Sequence, residues 1–165
     1  MRSCHLSNAI LVLLLTLLAG PSVSLAQEGT ITGQVSLTNQ EGKVVYGDWV
    51  RVFLTSEPID VPEVDLASTH VPWERQSRIN TGHMDFFVNF RQKLSAPGYA
   101  VDDKLTRPDG NFTFNRIPPG RYYIVITFPT MIAGYKCAWQ AAVDVAGGQS
   151  VSVALNNDNL VIPAY

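Results

Sequence analysis

His70 and His83, the carboxylates Asp85, Asp102 and Asp103, and the thiol of Cys137 are the side chains best suited to chemistry in this 165-residue chain. A zinc site draws on imidazole and carboxylate together. The two histidines, however, stand 13 residues apart, not at the i, i+4 spacing that puts a ligand pair on one helix face. Only the folding of the segment between them could gather His70, His83, Asp85 and Asp102 or Asp103. A small metal-dependent enzyme using His70 and His83 therefore stands as an alternative reading. Calcium wants about six to eight oxygens at spaced loop positions, which Asp102, Asp103 and Asp109 do not supply. Asp109, within Pro108-Asp109-Gly110, reads as turn chemistry. There is no Gly-x-Ser-x-Gly elbow, no base beside Cys137, and no carboxylate pair marked out as acid and nucleophile. The expectation is a protein that is not an enzyme, with no catalytic residue, metal or cofactor.

Binding is better supported than catalysis, because aromatic side chains gather in one stretch. Phe86, Phe90 and Leu94 share a helical stripe and read as a satellite core against the edge of the strands. Trp73 and Phe87 do not fit that stripe. Left exposed, they would anchor a protein partner or stack on a sugar. Tyr99 lies nearby, and Tyr123 and Trp139 are expected on an outer sheet face. Trp73, Phe87, Tyr99, Tyr123 and Trp139 are thus the candidate binding residues, for an envelope protein or a glycan. Nucleic acid is excluded as a partner by the lack of a basic stripe in a chain of net charge -2.

The elements that position these residues are mostly strands. Thr30 to Leu37 alternates apolar and polar, with Gly33 on the apolar face where another side chain packs closely. Val50, Val52 and Leu54 alternate with Arg51 and Phe53. Phe112 and Phe114, then Tyr122, Ile124, Ile126 and Phe128, then Val143 and Val145, then Val151, Val153 and Leu155 continue the period of two. Pro108-Asp109-Gly110, Pro118-Pro119-Gly120 and Gly147-Gly148 are tight reversals between them. Short strands joined by Gly/Pro turns predict a two-layer sandwich. An insertion at about 57–107 interrupts the rhythm. It begins irregular, from Pro58 to Pro72, and then carries a predicted helix at about 83–95, capped by Thr81 and stopped by Pro97-Gly98. The tail from Asn156 to Tyr165 reads as a short edge strand or the cover of one.

Gly29-Thr30-Ile31-Thr32-Gly33-Gln34-Val35, Val50-Arg51-Val52-Phe53-Leu54, and above all the run from Thr106 through Pro108-Asp109-Gly110-Asn111-Phe112-Thr113-Phe114 and Ile117-Pro118-Pro119-Gly120-Arg121-Tyr122 to Ile124 resemble the carboxypeptidase regulatory-like (transthyretin-like, Cna-B-like) domain family. The resemblance covers roughly Gly29 to Leu54 and Thr106 to Leu155. It implies an all-β, Greek-key transthyretin/prealbumin-like β-sandwich of about seven strands. Members are usually accessory modules without a catalytic centre. The insertion, between the second and third core strands, is atypical of the family.

The compartment is read from residues 1–26. Arg2 is followed by an apolar run from Ile10 to Leu18 and by Ser24-Leu25-Ala26, the form of a cleaved signal peptide. That run is shorter than the roughly 20 residues a membrane span needs. Cleavage would leave a single domain at 27–165, exported to the periplasm or beyond the cell, with Cys137 as its one cysteine. A structural envelope component assembling through its sheet edges is a further alternative.

Overall fold

Alternating apolar side chains force β1 (Gly29–Thr38) to bury one face along its whole length. The computed structural model describes residues 27–164, so the expected signal peptide lies outside the described residues. β1 is the centre of the first sheet. It pairs in parallel with β10 (Ser150–Leu155), and antiparallel with β2 (Val44–Tyr46) and β5 (Asn111–Ile117). The second sheet runs in the order β11 (Leu160–Ile162), β9 (Ala138–Val145), β6 (Gly120–Ile126), β3 (Arg51–Thr55) and β4 (Ala100–Leu105). β7 (Met131–Ile132) and β8 (Tyr135–Lys136) form a small separate hairpin. Between the sheets lies a core that includes Ile31, Val35, Leu54, Phe114, Ile126 and Trp139.

The chain is an all-β sandwich carrying one helix among the described residues. The described residues form eleven strands against the seven or so expected. The surplus consists of short or charged segments, such as Val44–Tyr46 and Ala100–Leu105, whose alternation is too brief or too polar to read. Gly33 meets its expectation: a Cβ there would lie 2.2 Å from Phe112 Cζ. The Phe112 ring therefore lies across β1 at the one residue that leaves room for it, in direct register with Gly33.

The helix corrects the expected boundaries. α1 (Pro72–Leu94) spans 23 residues and starts about three turns before the predicted 83. Pro72 occupies the first helical turn, where its fixed φ suits the helix and its missing N–H is not needed. Thr81 is thus interior and caps nothing. The buried stripe Ile79, Gly82, His83, Phe86 and Phe90 follows the 3.6-residue period. His83 and Gly82 hide its first half from a reading by hydropathy.

α1 lies over the outer face of the second sheet, not at the sandwich edge. Phe86, Phe90 and Ile79 join Val125, Ala138 and Ile162 of that sheet, with Ile59 and Tyr99, in a second apolar cluster. The molecule is therefore three layers deep: sheet, sheet and helix. The irregular segment before the helix finds partners for its backbone on α1 and β9. Lys93 Nζ donates to Pro58 O (2.8 Å), Asn89 Nδ2 to Asp60 O (3.1 Å) and Arg75 Nη1 to Leu66 O (2.9 Å). The Gln140 amide donates to Ile59 O (2.9 Å) and accepts from Ile59 N (2.6 Å). A loop this long needs such anchors, since buried backbone groups must be paired.

Candidate functional site

Along α1, one flank of the buried stripe carries Phe87, Arg91 and Leu94, one above another at i, i+4 and i+7. On β3, Val52 and Leu54 face the core, so Arg51 and Phe53 point out towards the helix. Beyond the end of β6 the chain turns through Thr127, Phe128, Pro129 and Thr130. These three elements line a pocket of about 300 Å³. Its floor is aromatic: Phe53 and Phe90 have centroids 4.7 Å apart, and Phe87 meets Phe128 edge-on at 5.5 Å.

A second hollow of about 380 Å³ continues from the first, sharing Arg51, Pro129 and Thr130 and adding Trp49, Leu105 and Met131. Together they form one groove. Trp49 is 71% exposed at its far end. Its φ of 55° lies in the left-handed region, where a bulky side chain is an outlier.

The second hollow also carries Asp48, while both charges that line the first are positive. Arg51 and Arg91 line the first pocket, and no carboxylate does. Arg51 Nε stands 3.7 Å from Asp103 Oδ2, an exposed pair of little energetic worth. Arg91 forms no ion pair among the described residues. One further polar group is conspicuous. Thr127 is 5% exposed, and its Oγ1 is buried in the pocket wall without a hydrogen-bond partner. Buried hydroxyls are rarely left so.

The reactive groups are disposed differently. No set of three His, Cys, Asp or Glu side chains is placed to hold a metal among the described residues. His70 is exposed ahead of α1. His83 is buried under the helix, with Nε2 3.2 Å from Pro163 O. It is packed because position 83 falls on the stripe facing β11. Burial holds its pKa below the usual histidine value, with the Pro163 carbonyl opposing and Lys136 adding to the shift. Burial likewise pushes the Cys137 thiol up to about 11, which leaves it protonated and unreactive at neutral pH. Asp109 accepts from Asn111 N (3.1 Å) and Asn111 Nδ2 (2.7 Å), the turn role expected of it.

Of the five candidate binding residues, Phe87 alone lines the groove. Trp73 is 68% exposed but sits in the first turn of α1, 14 residues before Phe87, or about 20 Å along the axis. The two do not share a surface. Tyr99 is buried beneath the C-terminal end of α1, its ring 6.4 Å from that of Phe90. Tyr123 does point to the outer face of the second sheet, but the helix covers that face and leaves the ring half-buried. Trp139 corrects the expectation outright. It is fully buried between the sheets, and its indole N–H donates to Asn156 O at 2.8 Å. Its parity along β9 matches that of Val143 and Val145, which already read as inward. Arg51, Arg91, Thr127, Phe128 and Met131 went unmarked in the sequence, where nothing links β3, α1 and the turn after β6. Trp49, one residue beyond Gly47-Asp48, carried the only local signal, a large aromatic in a turn.

No protein-family profile matches the chain, and no curated protein does. Several solved structures resemble it in arrangement. A Pseudomonas aeruginosa protein described as a candidate carbohydrate binder is 20% identical over 79% of this chain and 89% of its own, with a TM-score of 0.43. GBS52, the minor pilin of Streptococcus agalactiae, is 13% identical over 79% of this chain and 44% of its own, with a TM-score of 0.45. SpaD, the major pilin of Corynebacterium diphtheriae, is 13% identical over 79% of this chain and 30% of its own, with a TM-score of 0.42. The chain spans less than half of either pilin. The likeness is to sandwich domains in general and is coarser than the carboxypeptidase regulatory-like resemblance.

Proposed function

We propose that this chain is an exported, non-catalytic binding module, built on a carboxypeptidase regulatory-like sandwich at 27–165, that recognises an envelope protein or glycan through the groove between α1 and the turn after β6. The observation that carries this reading is the groove itself: an open, aromatic-floored surface made jointly by the insertion and the sandwich, with an exposed Trp49 at one end. Concave clefts lined mainly by apolar and aromatic side chains, with a few polar groups, are where proteins bind ligands. The test is retention of an envelope component by immobilised residues 27–165 and by the Phe87→Ala, Trp49→Ala and Trp73→Ala variants. Loss of more than tenfold in affinity is expected for the first two and none for Trp73→Ala. Equal retention by all four proteins, or loss confined to Trp73→Ala, overturns the groove as the recognition surface.

A second reading, a structural component assembling edge to edge, is favoured by β10. This outer strand of the first sheet is Ser-Val-Ser-Val-Ala-Leu, without the charge or proline that guards natural edges. The carbonyls of Val151 and Val153 turn towards β1, so those of Ser150, Ser152 and Ala154 aim outward. Asn159 Nδ2 caps Ala154 O at 2.7 Å and leaves the rest bare. Ser152→Pro removes an outward N–H and no pairing within the sheet. Concentration-dependent assembly that this variant abolishes would support the reading, and a monomer at all concentrations would sink it.

A further inference from the structure

We infer that the groove takes an extended polypeptide segment in which an aspartate or glutamate is flanked by apolar side chains; this rests on the groove being the recognition surface proposed above. Two features of the groove define such a ligand. Its two hollows are joined at Arg51, so a linear ligand would seat one apolar side chain in each and lay the residues between them across a guanidinium. Arginine is the side chain best shaped for a carboxylate, which it binds through two parallel N–H donors. Arg91, which forms no ion pair among the described residues, adds a second cation on the first hollow, whose lining includes no acid, and the exposed Asp103 contact to Arg51 is one that a ligand carboxylate would displace. In a chain of net charge -2, that local excess of positive charge is a selective feature.

The same features weigh against a sugar. Carbohydrate sites present many hydrogen-bonding groups around a stacking ring. Here the first hollow is walled by Phe53, Phe87, Phe90, Leu94 and Phe128, with Thr127 and Thr130 as its only hydroxyls. Apolar side chains fill such a floor far better than sugar hydroxyls do.

The test uses an array of end-capped pentapeptides with Asp or Glu at the centre and Leu, Ile, Phe, Tyr or Trp at the flanking positions. Twins with Asn or Gln at the centre, and immobilised tetragalacturonate as an acidic sugar, complete it. Residues 27–165 and the Arg51→Gln/Arg91→Gln double variant are probed in parallel. Acid-centred peptides should bind at least tenfold more tightly than their amide twins, and the double variant should lose that preference while keeping its melting temperature. The best peptide should shift the amide resonances of Phe87, Arg91 and Thr127 to Thr130. Equal binding of acid and amide twins overturns the inference, as does an array with no binder. Tetragalacturonate shifting those same resonances in place of the peptides overturns the ligand class and leaves the groove standing. Peptide binding whose shifts fall elsewhere overturns the groove as well.

Discussion

At the residue scale, Trp49 is the clearest departure from what folding alone would select. A bulky side chain in the left-handed region costs about 1–2 kcal/mol, and Trp49 recovers little of this by burial, since most of it faces solvent. Trp49→Gly should therefore raise unfolding stability by about 1 kcal/mol in urea titration while weakening partner binding. A variant that loses stability would show that Trp49 is there for the fold. His83 gives a prediction of the opposite kind. Its pKa is depressed in the folded state, so the unfolded chain binds the proton more readily and stability rises with pH. The contribution is intact above the unfolded value of about 6.5 and is lost as pH falls through it towards the folded value. Melting temperatures followed from about pH 7.5 to about pH 5 should drop for the parent. His83→Leu, which cannot titrate, should flatten that drop, and an unchanged slope would place the titrating group elsewhere. His83 did not announce its role in the sequence, and Trp49 did so only as a large aromatic in a turn. Trp49 sits in a turn whose φ no neighbour dictates, and His83 looks polar until the helix carries it onto the apolar stripe.

At the scale of elements, the strands were legible and the helix only half so. A period of two survives a single polar interruption, as Gly33 opposite Phe112 demonstrates. The helix was readable where Phe86, Phe90 and Leu94 repeat, and unreadable where Gly82 and a run of polar residues dilute the pattern. Gly82 has a packing reason for its place. A Cβ there would lie 2.5 Å from Val64 Cγ2, so the glycine lets the irregular segment lie against α1. In an exposed helix Gly→Ala gains about 1 kcal/mol. Here Gly82→Ala should destabilise instead, by about 1–3 kcal/mol from overpacking. Val64→Ala/Gly82→Ala should recover most of that loss. Additive effects in the double-mutant cycle would mean that the two side chains do not meet. The groove illustrates the limit of such reading. Arg51, Arg91 and Thr127 belong to three separate elements, and only tertiary contact brings them together.

At the scale of the whole molecule, the insertion is a third layer of the fold and not an appendage to a sandwich. Removing residues 57–98 would bare Phe53, Tyr123, Val125, Ala138 and Ile162 on the outer face of the second sheet. Such a truncated protein should aggregate or bind a hydrophobic dye strongly, and a soluble, dye-silent monomer would show that the sandwich is self-sufficient. The pairing of β1 with β10 carries a different consequence. Thr32 and the residue it touches on β10, Val151, are 119 positions apart, and the strands between them hold no substitute for β10. The first sheet thus cannot close on that side until almost the entire chain has been made, on the order of ten seconds after β1 leaves the ribosome at ordinary rates of synthesis. Throughout that interval β1 lacks its parallel neighbour, and the last seam of the sandwich is closed by the last part of the chain to be made.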